Sequence, residues 1–248
     1  LIRERLGFSD WRPGQLEIMR AFTKGEDVLA ILPTGTGKSL TYQLPALIRP
    51  GLTIVVSPLV ALMRDQVESL RERGLTRVAA IFSGQAQSEQ EEILSRAAAG
   101  AYKLLYVSPE RLWSQRFRAG LQDVHVGRIA VDEAHCIAQW GHTFRPEYAQ
   151  IPAAIAAITQ GTRPAVLAAT ATATPEVQSE IVSSLRLELT TTHTAHPDRP
   201  ELHYYVEPCG TLDDRRLKAL QVVDAFRGQS AIVYVPKQAM AQEIAELL

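Results

Sequence analysis

Short, nearly unbroken apolar runs recur along the chain: DVLAIL (27–32), LTIVVS (52–57), VAAIF (78–82), KLLYVS (103–108), GRIAVD (127–132) and AVLAAT (165–170). Runs of this length, rich in Val and Ile and with no polar alternation, predict strands buried on both faces. Helical patterns fall at 13–24, 38–48, 58–73, 87–99, 147–158 and 174–185. Strands alternating with helices predict an α/β fold built on a doubly wound, mostly parallel sheet.

The alternation breaks at 188–201, ELTTTHTAHPDRPE, where Thr, His and Pro replace any helical period, so this stretch reads as a linker. A strand (202–207), a helix (211–227), a second strand (230–236) and a helix from Lys237 to Leu248 then predict the opening of another α/β unit. The expected organisation is a first domain over 1–198 and a truncated second over 199–248. The strand and helix of 230–248 should expose apolar surface, because the rest of their sheet is absent.

Composition changes this picture little. With 46% hydrophobic and 21% charged residues over 248 positions the chain has ample core. No apolar run reaches the roughly 20 residues of a membrane span, and LIRERLGFSD lacks a signal-peptide pattern, so a cytoplasmic protein is expected. A net charge of −1 excludes binding nucleic acid through bulk charge and requires any such site to be local. Cys136 and Cys209 are too few for a disulfide framework or a zinc cluster.

The chemistry sits at strand ends. After strand 27–32 comes Pro33-Thr34-Gly35-Thr36-Gly37-Lys38-Ser39 and then a helix. Glycines let backbone N–H groups turn inward around phosphate oxygens, and the helix N-terminus adds positive potential. Lys38 would reach the β and γ phosphates and Ser39 would hold Mg²⁺. Leu32 stands where the strict phosphate-loop pattern has its first Gly. Strand GRIAVD ends in Asp132-Glu133-Ala134-His135, which places two carboxylates at the C-terminal edge of the sheet, where α/β proteins bind ligands. Asp132 suits Mg²⁺, and Glu133 suits deprotonating an attacking water.

The GKS loop and the DEAH box resemble the signature of superfamily 2 helicases, and further segments resemble RecQ ATP-dependent DNA helicases. GFSDWRPGQ (7–15) is similar to that family's adenine motif, which implies base contacts for Phe8, Arg12 and Gln15. LPTGTGKSLTYQLPAL (32–47) resembles motif I, VVSPLVALMRDQV (55–67) motif Ia, YVSPERL (106–112) motif Ib and LAATATAT (167–174) motif III, with Ala169 where Leu is usual. DRPELHYYV (198–206) resembles the family's interdomain junction and SAIVYVPKQAMAQEIAELL its motif IV.

The most specific segment is DEAHCIAQWGHTFRPEY (132–148), similar to the aromatic-rich loop that couples single-stranded DNA to hydrolysis; Thr143 replaces a usual Asp. Trp140 and Phe144 could stack on bases and Arg145 could meet phosphate. The resemblance adds His135 to the catalytic set, and Ser57, Pro58, Arg64, Thr170 and Thr172 to the residues expected to touch or sense DNA.

What the resemblance implies is a RecA-like motor domain that hydrolyses ATP with Mg²⁺ and unwinds partially duplex DNA by moving 3′→5′ on single strands, at the nucleoid in a bacterium. Motifs V and VI, with their arginine finger, have no counterpart; Arg199, Arg215, Arg216 and Arg227 match no finger motif. Two alternatives stay open: a nucleotide-binding half-motor that does not unwind, and a DEAH-type RNA helicase.

Overall fold

A computed structural model describes residues 10–140, 146–159, 162–194 and 202–247. It divides into two compact units, Leu1–Pro197 and Asp198–Leu248.

The first unit is built on seven strands: β1 (Asp27–Ile31), β2 (Leu52–Val56), β3 (Val78–Ile81), β4 (Leu104–Val107), β5 (Val126–Asp132), β6 (Ala165–Thr170) and β7 (Leu189–Thr194). Their order across the sheet is β3-β4-β2-β5-β6-β1-β7, and every pairing is parallel. The helices are α1 (Gln15–Lys24), α2 (Leu40–Ile48), α3 (Val60–Glu72), α4 (Gln87–Ala98), α5 (Pro109–Leu112), α6 (Gln115–Leu121), α7 (Cys136–Trp140), α8 (Pro146–Ala149), α9 (Ile151–Ile158) and α10 (Pro175–Leu185).

Successive residues of a strand face opposite sides of the sheet, so each strand feeds two cores. Val28, Ala30, Val55, Leu104 and Leu167 pack under α1, α2 and α3, against Ile18, Phe22, Tyr42 and Met63. Leu29, Ile54, Leu105, Ile129 and Val166 pack on the other side, against Phe117, Leu121, Ile155 and Ile181. Burial on both faces is why the runs carry no polar alternation.

Three expectations change. The stretch read as a linker contains β7, which extends the sheet beyond β1. Its sequence has no apolar period because it is an edge strand: Thr192 and Thr194 are exposed. β-branched Thr suits such a strand without declaring it. A clamp holds it. Asp27, 3% exposed, accepts from the Val166 amide at 2.8 Å and the Glu188 amide at 2.7 Å, and Arg163 donates to both its oxygens. Second, α5 and α6 lie between β4 and β5, where no helix is expected. They are short and are set by Pro109 at the start of one and by Ser114, whose hydroxyl accepts from the Phe117 amide, at the other. Third, the helix expected over 147–158 breaks at Gln150 into α8 and α9.

The second unit holds α11 (Leu212–Ala225) and α12 (Gln238–Leu247). Thr211 caps α11 with a reciprocal capping box to Asp214. The strands expected at 202–207 and 230–236 do not form. A strand exists only as part of a ladder, and the described residues offer these segments no partner. Tyr204, Tyr205, Val206, Ile232 and Tyr234 are more than three-quarters exposed as a result, which meets the expectation of apolar exposure for the last segment.

Candidate active site

The sheet order places β6 between β5 and β1, so the loop after β1 and the acidic segment after β5 flank the end of one strand. That end is bonded on both sides. The Leu32 amide donates to the Thr170 carbonyl and the Ala134 amide to the Ala169 carbonyl, each at 2.9 Å. The register therefore carries two segments about a hundred residues apart in sequence to the same C-terminal edge.

The loop itself needs glycine. Gly35 and Gly37 have φ of +80° and +78°, a region that side chains rarely enter. A Cβ on Gly37 would also lie 2.6 Å from the Gln15 amide nitrogen. That nitrogen donates to the carbonyls of Thr36 at 2.7 Å and Gly37 at 3.2 Å, while Gln15 Oε1 accepts from the Arg12 amide at 2.9 Å. The Arg12 guanidinium donates to the Gly35 carbonyl. Thr36 closes the turn by donating to the Pro33 carbonyl at 2.6 Å. Thr34 lies within the turn, and Ser39 sits at the N-cap position of α2 without capping it. Gln15 and Arg12 thus brace the phosphate-loop backbone, a task the sequence did not suggest for them.

Lys38 crosses to the acidic pair. Its ammonium donates to Glu133 Oε1 at 2.7 Å and lies 3.4 Å from Asp132 Oδ1. Asp132 is 3% exposed; burial raises its pKa, and the nearby Lys38 ammonium opposes the rise. Glu133 follows with φ of +50°, strain that its surroundings must hold in place. Burial pushes the Glu133 carboxyl up, but His135 and Lys38 outweigh it and hold it at about 2. His135 Nδ1 lies 3.3 Å from Glu133 Oε2 and 3.0 Å from Thr170 Oγ1. Contacts with the Cys136 thiol and the Glu133 carboxylate raise His135 to about 9 against the opposing effect of burial. Lys38, Glu133, His135 and Asp132 therefore form one ionic cluster.

Sequence reasoning missed Tyr42. It is fully buried on α2, yet its hydroxyl donates to Asp132 Oδ2 at 3.2 Å. A polar ring placed at a core position of the helix after the phosphate loop was the available signal.

Of the residues expected to meet DNA, Arg64 is exposed on α3 and stacks over the Phe82 ring at 4.7 Å. Ser57 and Pro58 are buried at the end of β2. Thr172 is exposed, whereas Thr170 is fully buried, with its hydroxyl against His135 and the Thr172 carbonyl, a position open to a coupling role and not to direct contact with DNA. Phe8, Thr143, Phe144 and Arg145 lie outside the described residues, as does the side chain of Trp140 at the end of α7. Among the described residues no three His, Cys, Asp or Glu side chains gather as a metal cluster, and no helix is long and apolar enough to cross a membrane.

Comparison with known proteins places this geometry. The DEAD/DEAH box helicase family matches residues 12–181. The chain is 41% identical to the ATP-dependent DNA helicase RecQ of Bacillus subtilis over 249 residues, covering 100% of this chain and 41% of that protein. It is 38% identical to the probable ATP-dependent DNA helicase RecS of the same organism, covering 96% of this chain and 47% of that one. The chain thus spans less than half the length of either relative. Among solved structures, the Mycobacterium smegmatis helicase Lhr bound to ssDNA and AMP-PNP superposes with a TM-score of 0.68 at 21% identity, covering 99% of this chain and 35% of that one. That likeness carries the fold.

Proposed function

Since the chain belongs to the DEAD/DEAH box helicase family, we propose that it supplies the nucleotide-hydrolysing half of a RecQ-type, ATP-dependent DNA helicase. Its substrates would be single-stranded and partially duplex DNA, with 3′→5′ movement. The observation that carries the reading is Lys38 held between Glu133 and Asp132 at the end of the sheet. Residues 1–198 form the first motor domain in this reading, and 199–248 begin a second.

The phosphates of ATP would sit against the backbone of the 33–39 loop and draw Lys38 toward them. The donor set fits Mg²⁺: the Ser39 hydroxyl and the Asp132 carboxylate are both hard oxygens, and two protein ligands leave room for phosphate and water. Held by Ser39 and Asp132, the cation would supply charge neutralisation at the phosphates. Glu133 takes the proton of the water that attacks the γ-phosphorus, and ADP leaves with its oxygen. Held at about 2 by His135 and Lys38, Glu133 is a weak base within this cluster. Movement of Lys38 toward phosphate would remove one of the groups that depress it and raise its basicity, with His135 still in place. In this reading the resemblance assigns Arg12, Gln15 and Phe8 to the adenine and Trp140, Phe144, Arg145, Arg64 and Thr172 to DNA, while Ser57 and Pro58, buried at the end of β2, could act on DNA only through their neighbours. Thr170, bonded to His135, couples the two.

ATP turnover and strand displacement, measured with single-stranded DNA and with RNA of the same sequence, test the proposal. DNA should stimulate turnover and RNA should not. Lys38→Ala should lower turnover by about 100-fold or more, as loss of a preorganised charge donor does. Near-normal turnover in that variant, or equal stimulation by RNA, would reject it.

A further inference from the structure

Behind the acidic pair lies a row of buried polar side chains that neither the core nor the hydrolytic residues account for. Tyr42 donates its hydroxyl to Asp132 Oδ2 at 3.2 Å. One phenol therefore touches the carboxylate assigned to the cation. Tyr106 of β4, 1% exposed, is buried in the same cluster as Tyr42. Gln43 donates to the Tyr106 hydroxyl at 2.9 Å and to Gln66 Oε1 on α3 at 2.7 Å. Burying polar groups is costly unless each finds a partner, and Phe at 42 and 106 would fill the same volume without that burden. The row must return something other than packing.

We propose that Tyr42 is a positioning residue for the divalent cation, fixing the Asp132 carboxylate in one orientation. With Asp132 Oδ2 engaged by the phenol, Oδ1 is the oxygen that faces the loop, 3.4 Å from Lys38 Nζ. Tyr106 packs in the same buried cluster as the phenol, and Gln43 ties Tyr106 to α3. Groups behind a metal ligand commonly set its orientation and through it the metal affinity. The inference rests on the reading of Ser39 and Asp132 as the cation-holding pair.

The test is Mg²⁺-dependent binding of a fluorescent ADP analogue, which reads the cation without turnover. In Tyr42→Phe the Mg²⁺ concentration for half-saturation should rise about 10-fold, while binding of the same analogue in EDTA stays within about twofold. Tyr106→Phe, which leaves Tyr42 in place, should raise it less, by about threefold, and carries the test if Tyr42→Phe does not fold. Asp132→Asn is measured beside them. A shift in Asp132→Asn with neither tyrosine variant shifted overturns the inference and leaves the cation pair standing. No shift in Asp132→Asn overturns the pair and the inference together. A tyrosine variant that loses affinity equally with and without Mg²⁺ shows a structural role alone and also overturns it.

Discussion

His135 shows how the residues of the cluster define one another. Its imidazole is raised to about 9 by the Cys136 thiol and the Glu133 carboxylate, and Glu133 is in turn held at about 2. The signs fix a window. A histidine whose folded value lies above its unfolded 6.5 adds stability that is full below 6.5 and fades as pH rises through about 9. A glutamate depressed from 4.5 adds stability that is full above 4.5 and fades as pH falls through about 2. Between the two unfolded values both groups are charged in the folded chain and the pair contributes fully. NMR titration of the His135 ring in nucleotide- and metal-free protein should therefore give a value near 9, falling toward 6.5 in Glu133→Gln, where the charged partner is gone. A wild-type value near 6.5, unmoved by the substitution, would break the pair. The identity of these residues was legible from the DEAH string at the end of an apolar run. Their mutual bonding was not, because the contact of His135 with Thr170 crosses from β5 to β6 and depends on register. Gln15 makes the same point: its motif suggested a base, whereas its amide holds the Thr36 and Gly37 carbonyls.

At the level of elements, β7 is the most informative departure. An edge strand borrows its stability from one neighbour, and here the loan is secured by Asp27, which gathers the amides of Val166 and Glu188 and the Arg163 guanidinium at the start of three adjacent strands. Asp27→Ala leaves buried amides without an acceptor and Arg163 without its partner. Because the Arg163 side chain is 40% exposed, it can turn to water, so the cost should be set mainly by the amides, at about 2–4 kcal/mol. Urea denaturation measures it, and a loss under about 1 kcal/mol would show that the clamp does not secure the edge. Six strands announced themselves through unbroken apolar runs because both their faces are buried. β7 was silent because Thr192 and Thr194 face solvent, and α5 and α6 because four and seven residues are too few to show a period. The reverse error at 202–207 and 230–236 has the same origin: apolar β-branched sequence is permissive for a strand, but a partner decides it.

For the whole molecule, the two units differ in what holds them. The first contains all seven strands and both hydrophobic cores, together with Arg12, Lys38, Asp132, Glu133 and Thr170. In the second, Ile244 is the sole buried hydrophobic residue among those described, and α11 buries none. Folding and nucleotide binding should therefore travel together with residues 1–197. That fragment should melt cooperatively within about 3 °C of the whole chain, the shift expected from about 1 kcal/mol, and should keep its affinity for ADP. A fragment ending at Leu187 lacks β7 and the Glu188 amide that Asp27 accepts, and should melt at least about 5 °C lower. Residues 198–248 alone should show partial helix by circular dichroism and no cooperative transition, because burial too slight to offset chain entropy cannot fix a fold. Calorimetry on the three fragments decides the matter. Loss of cooperative melting or of ADP binding in 1–197 would show that the second unit is part of the structural core, and the division of labour between the units would have to be redrawn.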